Sequence, residues 1–205
     1  MMSSKSTESK SPSRKTGPLG RLSGFFYTKS NLVMALLATA VFSGYTLLIL
    51  SGQGKAFEVA NSSVKSLGTS LGFGQAEVLA FLAERSVRQI TAYIAFNQVW
   101  DSLFGVIYGV MYVVWLSLLL KPYSQKVGLL NLLPFGQVLF DWLENFSLAS
   151  LSNQYLADGA ISSSTALLAS TASSIKWVFA LLVYGVILVS IVARFVGALK
   201  RRSQR

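Results

Sequence analysis

The sequence predicts an all-α protein, a four-helix transmembrane bundle, on three observations. Hydrophobic residues make up 52% of the 205 residues at a mean hydropathy of +0.52, too apolar for a soluble core of this length. Four long apolar stretches recur along the chain, each near the ~20 residues a helix needs to cross a ~30 Å hydrocarbon layer. Lysine and arginine gather at alternate ends of those stretches, as they do where a chain weaves through a bilayer.

Residues 1–30 are rich in Ser and Lys with Glu8 as the one acid, which predicts a disordered basic tail that touches anionic headgroups. An organellar transit peptide is the rival reading of the same composition. A cleaved secretory signal does not fit, because the first apolar stretch begins about thirty residues in and is long enough to span.

The transmembrane domain covers 31–199, with spans at about 31–51, 96–120, 127–150 and 175–199. The first is the run NLVMALLATAVFSGYTLLIL. Between it and the second lies the one sizeable loop, where Val78, Leu79, Phe81 and Leu82 repeat at helical spacing. That spacing predicts an amphipathic helix in the outer loop, lying on the membrane surface, or in a sharper version capping the bundle mouth. Asn61-Ser62-Ser63 in the same loop is a glycosylation acceptor only if this face is lumenal in a glycosylating host. Asp101 stands near the start of the second span, and the third carries Pro134, Asp141 and Glu144. Pro134, with Gly136 beside it, predicts a kink about two turns below Asp141. The fourth span holds Lys176 towards one end and Arg194 towards the other, and 200–205 is a basic C-terminus.

Orientation follows from charge. Six basic residues precede the first span (Lys5, Lys10, Arg14, Lys15, Arg21, Lys29), Lys121 and Lys126 bound the second loop, and five lie from Arg194 onwards. The long loop has Lys55, Lys65, Arg85 and Arg88, diluted by Glu58, Glu77 and Glu84. Four spans with both termini cytosolic satisfy every loop, in the cell membrane or, on the transit-peptide reading, an organellar one.

Composition also excludes. The chain contains no Cys and no His, which removes disulfides, thiolate nucleophiles, imidazole bases and the commonest zinc ligands. A metal site would need oxygen ligands; none is assigned, and no cofactor motif is present. The net charge of +10 invites a nucleic-acid reading, but the basic residues are not interleaved with aromatics, so nucleic acid is not a partner. Without a glycine-rich phosphate loop or a G-x-S-x-G elbow a soluble-type enzyme has little material, while an intramembrane carboxylate enzyme stays open.

The informative residues are the ionisable ones inside spans, each costing ~2.5–3.5 kcal/mol at a span centre on insertion scales. Asp141, Glu144 and Asn145 form D-x-x-E-N, whose spacing puts all three on one helical face. Asp101 shares a face with Gly105, Tyr108, Gly109 and Tyr112. Counting ~1.5 Å per residue from the cytosolic end of each span places Asp101 ~28 Å up, Asp141 ~21 Å, Glu144 ~25 Å, and Asn145 and Lys176 ~27 Å. Three spans therefore present three carboxylates, a carboxamide and one ammonium to a common layer. One lysine does not neutralise three carboxylates at close range in a low-dielectric site, so the layer is suited to relaying protons or to binding a cation, an amine or a lipid headgroup. The bland alternative is a polar knot that fixes helix rotation, with Lys176 snorkelling to the interface.

Gly105-x-x-x-Gly109 permits close helix packing, within the bundle or between copies. Trp100, Trp115, Trp142 and Trp177 stand mostly near span ends, as in an interfacial aromatic belt.

In LGFGQAEVLAFL, WDSLFGVIYG, FDWLENFSLA and Ser174-Ile175-Lys176-Trp177 the chain resembles a set of uncharacterised bacterial four-span integral membrane proteins with D-x-x-E-N in the third span. The resemblance implies the same architecture and makes Asp101, Phe104, Tyr108, Asp141, Glu144, Asn145 and Lys176 the shared positions. It names no reaction, and the basic tail is not part of the pattern.

Two functional classes remain. One is a transporter-like or lipid-handling protein whose Asp141 and Glu144 carry a ligand or proton, with Lys176 as counter-ion; four spans are few for a transport unit, so transport implies an oligomer. The other is a structural or assembly subunit of a membrane complex, whose polar layer is architectural and whose tail or loop recruits a protein partner.

Overall fold

A computed structural model describes residues 17–202, so the predicted tail residues 1–16 and the end of the basic C-terminus, 203–205, lie outside the described residues. Among the described residues there is no strand. The helices are α1 (Pro18–Lys29), α2 (Leu32–Tyr45), α3 (Ser51–Lys55), α4 (Gln75–Ala83), α5 (Val87–Ala95), α6 (Ser102–Leu120), α7 (Ser124–Val127), α8 (Leu133–Asp158) and α9 (Ser163–Arg202). Three stretches, Leu32–Lys55, Val87–Asp158 and Ser163–Lys200, are long and apolar enough to cross a membrane, and the chain is a membrane protein. The middle stretch folds back on itself at α7, so α6 and α8 lie side by side.

Helix α1 occupies part of what composition predicts as disordered tail. Pro18 sits in its first turn, where a missing N–H costs nothing, and Ser23 and Tyr27 are buried against the bundle. The polar residues before Pro18 mask the short apolar run LGRLSGFFY in any average over the segment. Asn31 then starts α2 by accepting a 3.0 Å hydrogen bond from the Met34 amide. A π turn, Thr46–Leu50, carries α2 into α3.

The outer-loop segment is two helices, not one. Ser86 breaks it by forming a reciprocal cap with Gln89, whose Oε1 accepts from the Ser86 amide at 3.0 Å. The apolar set does not face lipid: Val78, Phe81 and Leu82 are buried with Leu67, Ile90, Leu148, Leu151 and Ala169, and Leu79 packs against the same cluster. Arg85 secures the corner, donating to the carbonyls of Phe57 (3.0 Å) and Phe81 and lying 3.3 Å from the Phe81 ring centroid. Burial there draws its pKa below the ordinary arginine value.

Helix α5 runs through a second π turn, Phe96–Asp101, into α6. The extra residue frees carbonyls that side chains take up: Ser102 Oγ donates to Asn97 O at 2.7 Å and Tyr45 Oη to Trp100 O at 2.8 Å. Helix α8 begins at Leu133, not near Val127, and extends to Asp158, past the predicted end at Ser150. Pro134 falls in its first turn, so the proline that predicts a kink instead starts the helix. Gly159, at φ 67°, ends it. Helix α9 likewise starts at Ser163, twelve residues before the predicted span.

Helices α8 and α9 share the longest interface, because α9 turns a stripe of small buried residues inward, Ala166, Ala169, Ala172, Ser173 and Ala180. Helix α2 packs along α6, and α6 along both α8 and α9, but α2 and α9 have no comparable contact. Both pack on α6 without packing on each other.

Candidate functional site

A cavity of about 350 Å³ lies beside the predicted polar layer, lined in part by α2, α6, α8 and α9. Each wall has its own source. Helix α6 supplies Phe104, Tyr108 and Tyr112, at spacings that align them on one face. Their rings continue a ladder from Phe42 (centroid 5.4 Å from Phe104) through Tyr108 (5.4 Å from Phe104) and Tyr112 to Tyr184 (5.7 Å from Tyr112). Helix α8 supplies Gln137 and Asp141, one turn apart, and α9 supplies Lys176, Trp177 and Tyr184. The 3₁₀ turn Leu67–Thr69 closes the end nearest α4 through Gly68 and Thr69. In all, nine of the nineteen lining residues are aromatic, which makes the space largely apolar, with its charged side chains gathered in one patch.

That patch is ionic. Lys176 is 7% exposed and does not snorkel. Its Nζ lies 3.2 Å from Asp141 Oδ1, forms a buried ion pair with Glu144, and donates to Gly68 O at 3.1 Å. Those three acceptors use its three protons. Asp141 and Glu144 are 4% and 0% exposed, and each keeps one oxygen, Oδ2 and Oε1, buried without a hydrogen-bond partner. Glu144 and the equally buried Asn145 stand behind the wall, whereas Asp141 and Asp101 line it. Asp101, half-buried, comes from the π turn.

The two glycines hold α6 against α8 here. A Cβ on Gly105 would lie 3.0 Å from Asp141 Oδ2, and one on Gly109 would lie 2.5 Å from Val138 Cγ2. Trp142 Nε1 reinforces the contact by donating to Ser102 O at 2.8 Å. The pair therefore serves packing inside this chain.

All six residues that spacing and depth single out, Asp101, Tyr108, Asp141, Glu144, Asn145 and Lys176, fall in this region, five of them buried. Sequence reasoning misses Gln137, whose Oε1 is buried without a partner at the cavity wall; extending the D-x-x-E-N face one turn upstream finds it. It also misses Phe42 and Tyr184, which carry no local signal and reach the site only through packing. Among the described residues no group of three acidic side chains converges as a metal site.

No protein-family model, curated protein or solved structure matches the chain. The site's own geometry carries its interpretation.

Proposed function

We propose that the chain is a four-span integral membrane protein with both termini cytosolic, and that its acid–lysine layer is the binding site for a positively charged ligand. In this reading the spans are Leu32–Lys55, the α5–α6 run, α8 and α9, and α4 with its neighbouring loop is a cap packed over the outer end. The observation that carries it is Asp141: one oxygen is held by Lys176, while the other is buried at the wall of an aromatic cavity with no partner. Lys176 offsets one negative charge of the three carboxylates, and its protons are already engaged by Asp141, Glu144 and Gly68. A second cation at the wall would meet the remaining charge and the free oxygen together. Aromatic faces stabilise such a cation without neutralising it.

Native mass spectrometry in lipid nanodiscs tests this on wild type, Asp141→Asn and Glu144→Gln. A bound cationic species lost in folded variants is the expected result. Wild type carrying nothing, with variants that only unfold earlier, rejects it.

One observation favours the architectural alternative, a structural or assembly subunit. Lys176 joins α8, α9 and the outer loop through Gly68, as a fastening would. Under that reading the layer sets helix register and a second copy or another membrane protein is the partner; a protein that co-purifies stoichiometrically with the ligand-free chain favours it.

A further inference from the structure

Resting on the reading just given, we infer that the ligand is an amphiphile bearing a primary ammonium group, and that it reaches the site sideways from the bilayer, between α2 and α9. Two independent features point there. The first is the kind of polar atom left over. Asp141 and Gln137 line the cavity, both are more than nine-tenths buried, and Asp141 Oδ2 and Gln137 Oε1 are left without a hydrogen-bond partner. They lie one turn apart on α8, and the Tyr108 hydroxyl opposite Asp141, itself without a hydrogen bond of ordinary geometry, has a single proton and can meet only one of the two. Acceptors taken out of water need N–H or O–H donors. A primary ammonium brings three; a trimethylammonium brings none and leaves at least one of the oxygens unmet. Aromatic rings alone would hold either cation, so the two acceptors set the order.

The second feature is the side of the cavity on which helix packing is missing. Its α2 side is Phe42 and, from the π turn beyond, half-buried Leu50; its α9 side is buried Ala180 and exposed Tyr184. These flanking helices are not packed together, and their outer surfaces carry exposed Val41, Leu47, Leu48, Leu181 and Leu188, the surface that faces hydrocarbon in a membrane protein. From Asp101 to Tyr112 the wall runs eleven residues, roughly 16 Å, enough for a headgroup at the acids and several methylenes along the rings. The Leu67–Thr69 turn and Lys176 cover the other end, so a small water-borne amine has the poorer route and leaves the apolar part of the cavity unfilled.

Free amine and membrane amphiphile share the ammonium, and one titration separates them. The full chain in phosphatidylglycerol nanodiscs is titrated by native mass spectrometry with dodecylammonium, dodecyltrimethylammonium and ethanolamine. Expected is dodecylammonium binding at least roughly tenfold more tightly than the trimethyl compound, the scale of a lost hydrogen bond to a charged group, and ethanolamine weaker still. In Gln137→Leu, which leaves the Lys176 pairs untouched, the preference for the primary amine should shrink by several-fold. Trimethylammonium binding as tightly as the primary amine overturns the inference while the cation site stands. Ethanolamine binding as tightly as dodecylammonium overturns the lateral amphiphile. No cation binding at all rejects the underlying reading.

Discussion

Two buried polar clusters stand at opposite ends of this bundle, and their difference separates a fastening from a site. Near α1, Ser23 Oγ donates to Asn131 Oδ1 at 2.6 Å, and Asn131 Nδ2 donates to Ser117 Oγ (2.9 Å) and Ser23 O (3.2 Å). Asn131 uses both amide protons and its side-chain oxygen, carries no charge and is fully enclosed. Near α4, the Asp141–Lys176–Glu144 cluster is charged, keeps two carboxylate oxygens unpartnered, and presents Asp141 to a cavity. Neutral and satisfied polar groups rigidify a fold; ionic and partly satisfied ones cost stability and persist where a ligand or reaction uses them.

The contrast is breakable by mutation, and the largest effect belongs to the charged end. Lys176→Met leaves Asp141 and Glu144 buried without their cation, and unfolding in detergent should show a loss of about 3–5 kcal/mol. A loss under 1 kcal/mol would mean that water reaches the cluster freely. Gly109→Ala comes next: its methyl must displace Val138, for about 1–3 kcal/mol by the same assay, together with weaker cation binding as α6 moves off α8. Asn131→Ala should also cost about 1–3 kcal/mol, by leaving Ser117 Oγ without its donor and Ser23 Oγ with only its 3.3 Å bond to Gly128 O, but leave cation affinity unchanged; reduced affinity would join the two clusters. Smallest is Ser173→Ala, which removes a 2.7 Å bond to Ser70 O and should cost about 1 kcal/mol.

The sequence discloses the charged end better than the neutral one. Asp141, Glu144 and Lys176 stand out because any ionisable group in an apolar run needs a reason, and counting residues along each helix brings them to one level. Asn131 and Ser23 raise no such signal, since a serine in a polar tail looks solvated and an uncharged asparagine four residues into a predicted span looks interfacial. Helix boundaries fail for a related reason. Pro134 reads as a kink when the span is started at Val127 by hydropathy, but a proline in the first turn is a start signal, and the 3₁₀ turn Gly128–Leu132 is as apolar as the helix it precedes. The apolar face of α4 is legible as a face; that it packs on Ile90, Leu148 and Leu151 depends on tertiary contacts with α5 and α8. Neither π turn has a periodicity of its own, so both are invisible before folding, although Asp101 itself is legible as a member of the polar layer.

The central claim is that the charged cluster binds a cation and is not merely a brace. Its most direct test is the unfolding of wild type and Asp141→Asn, each in phosphatidylglycerol nanodiscs with and without dodecylammonium. The account predicts that ligand at a hundredfold its dissociation constant stabilises wild type by about 2.7 kcal/mol, and that the folded variant gains little or nothing. An equal gain in both, or none in wild type, would contradict it.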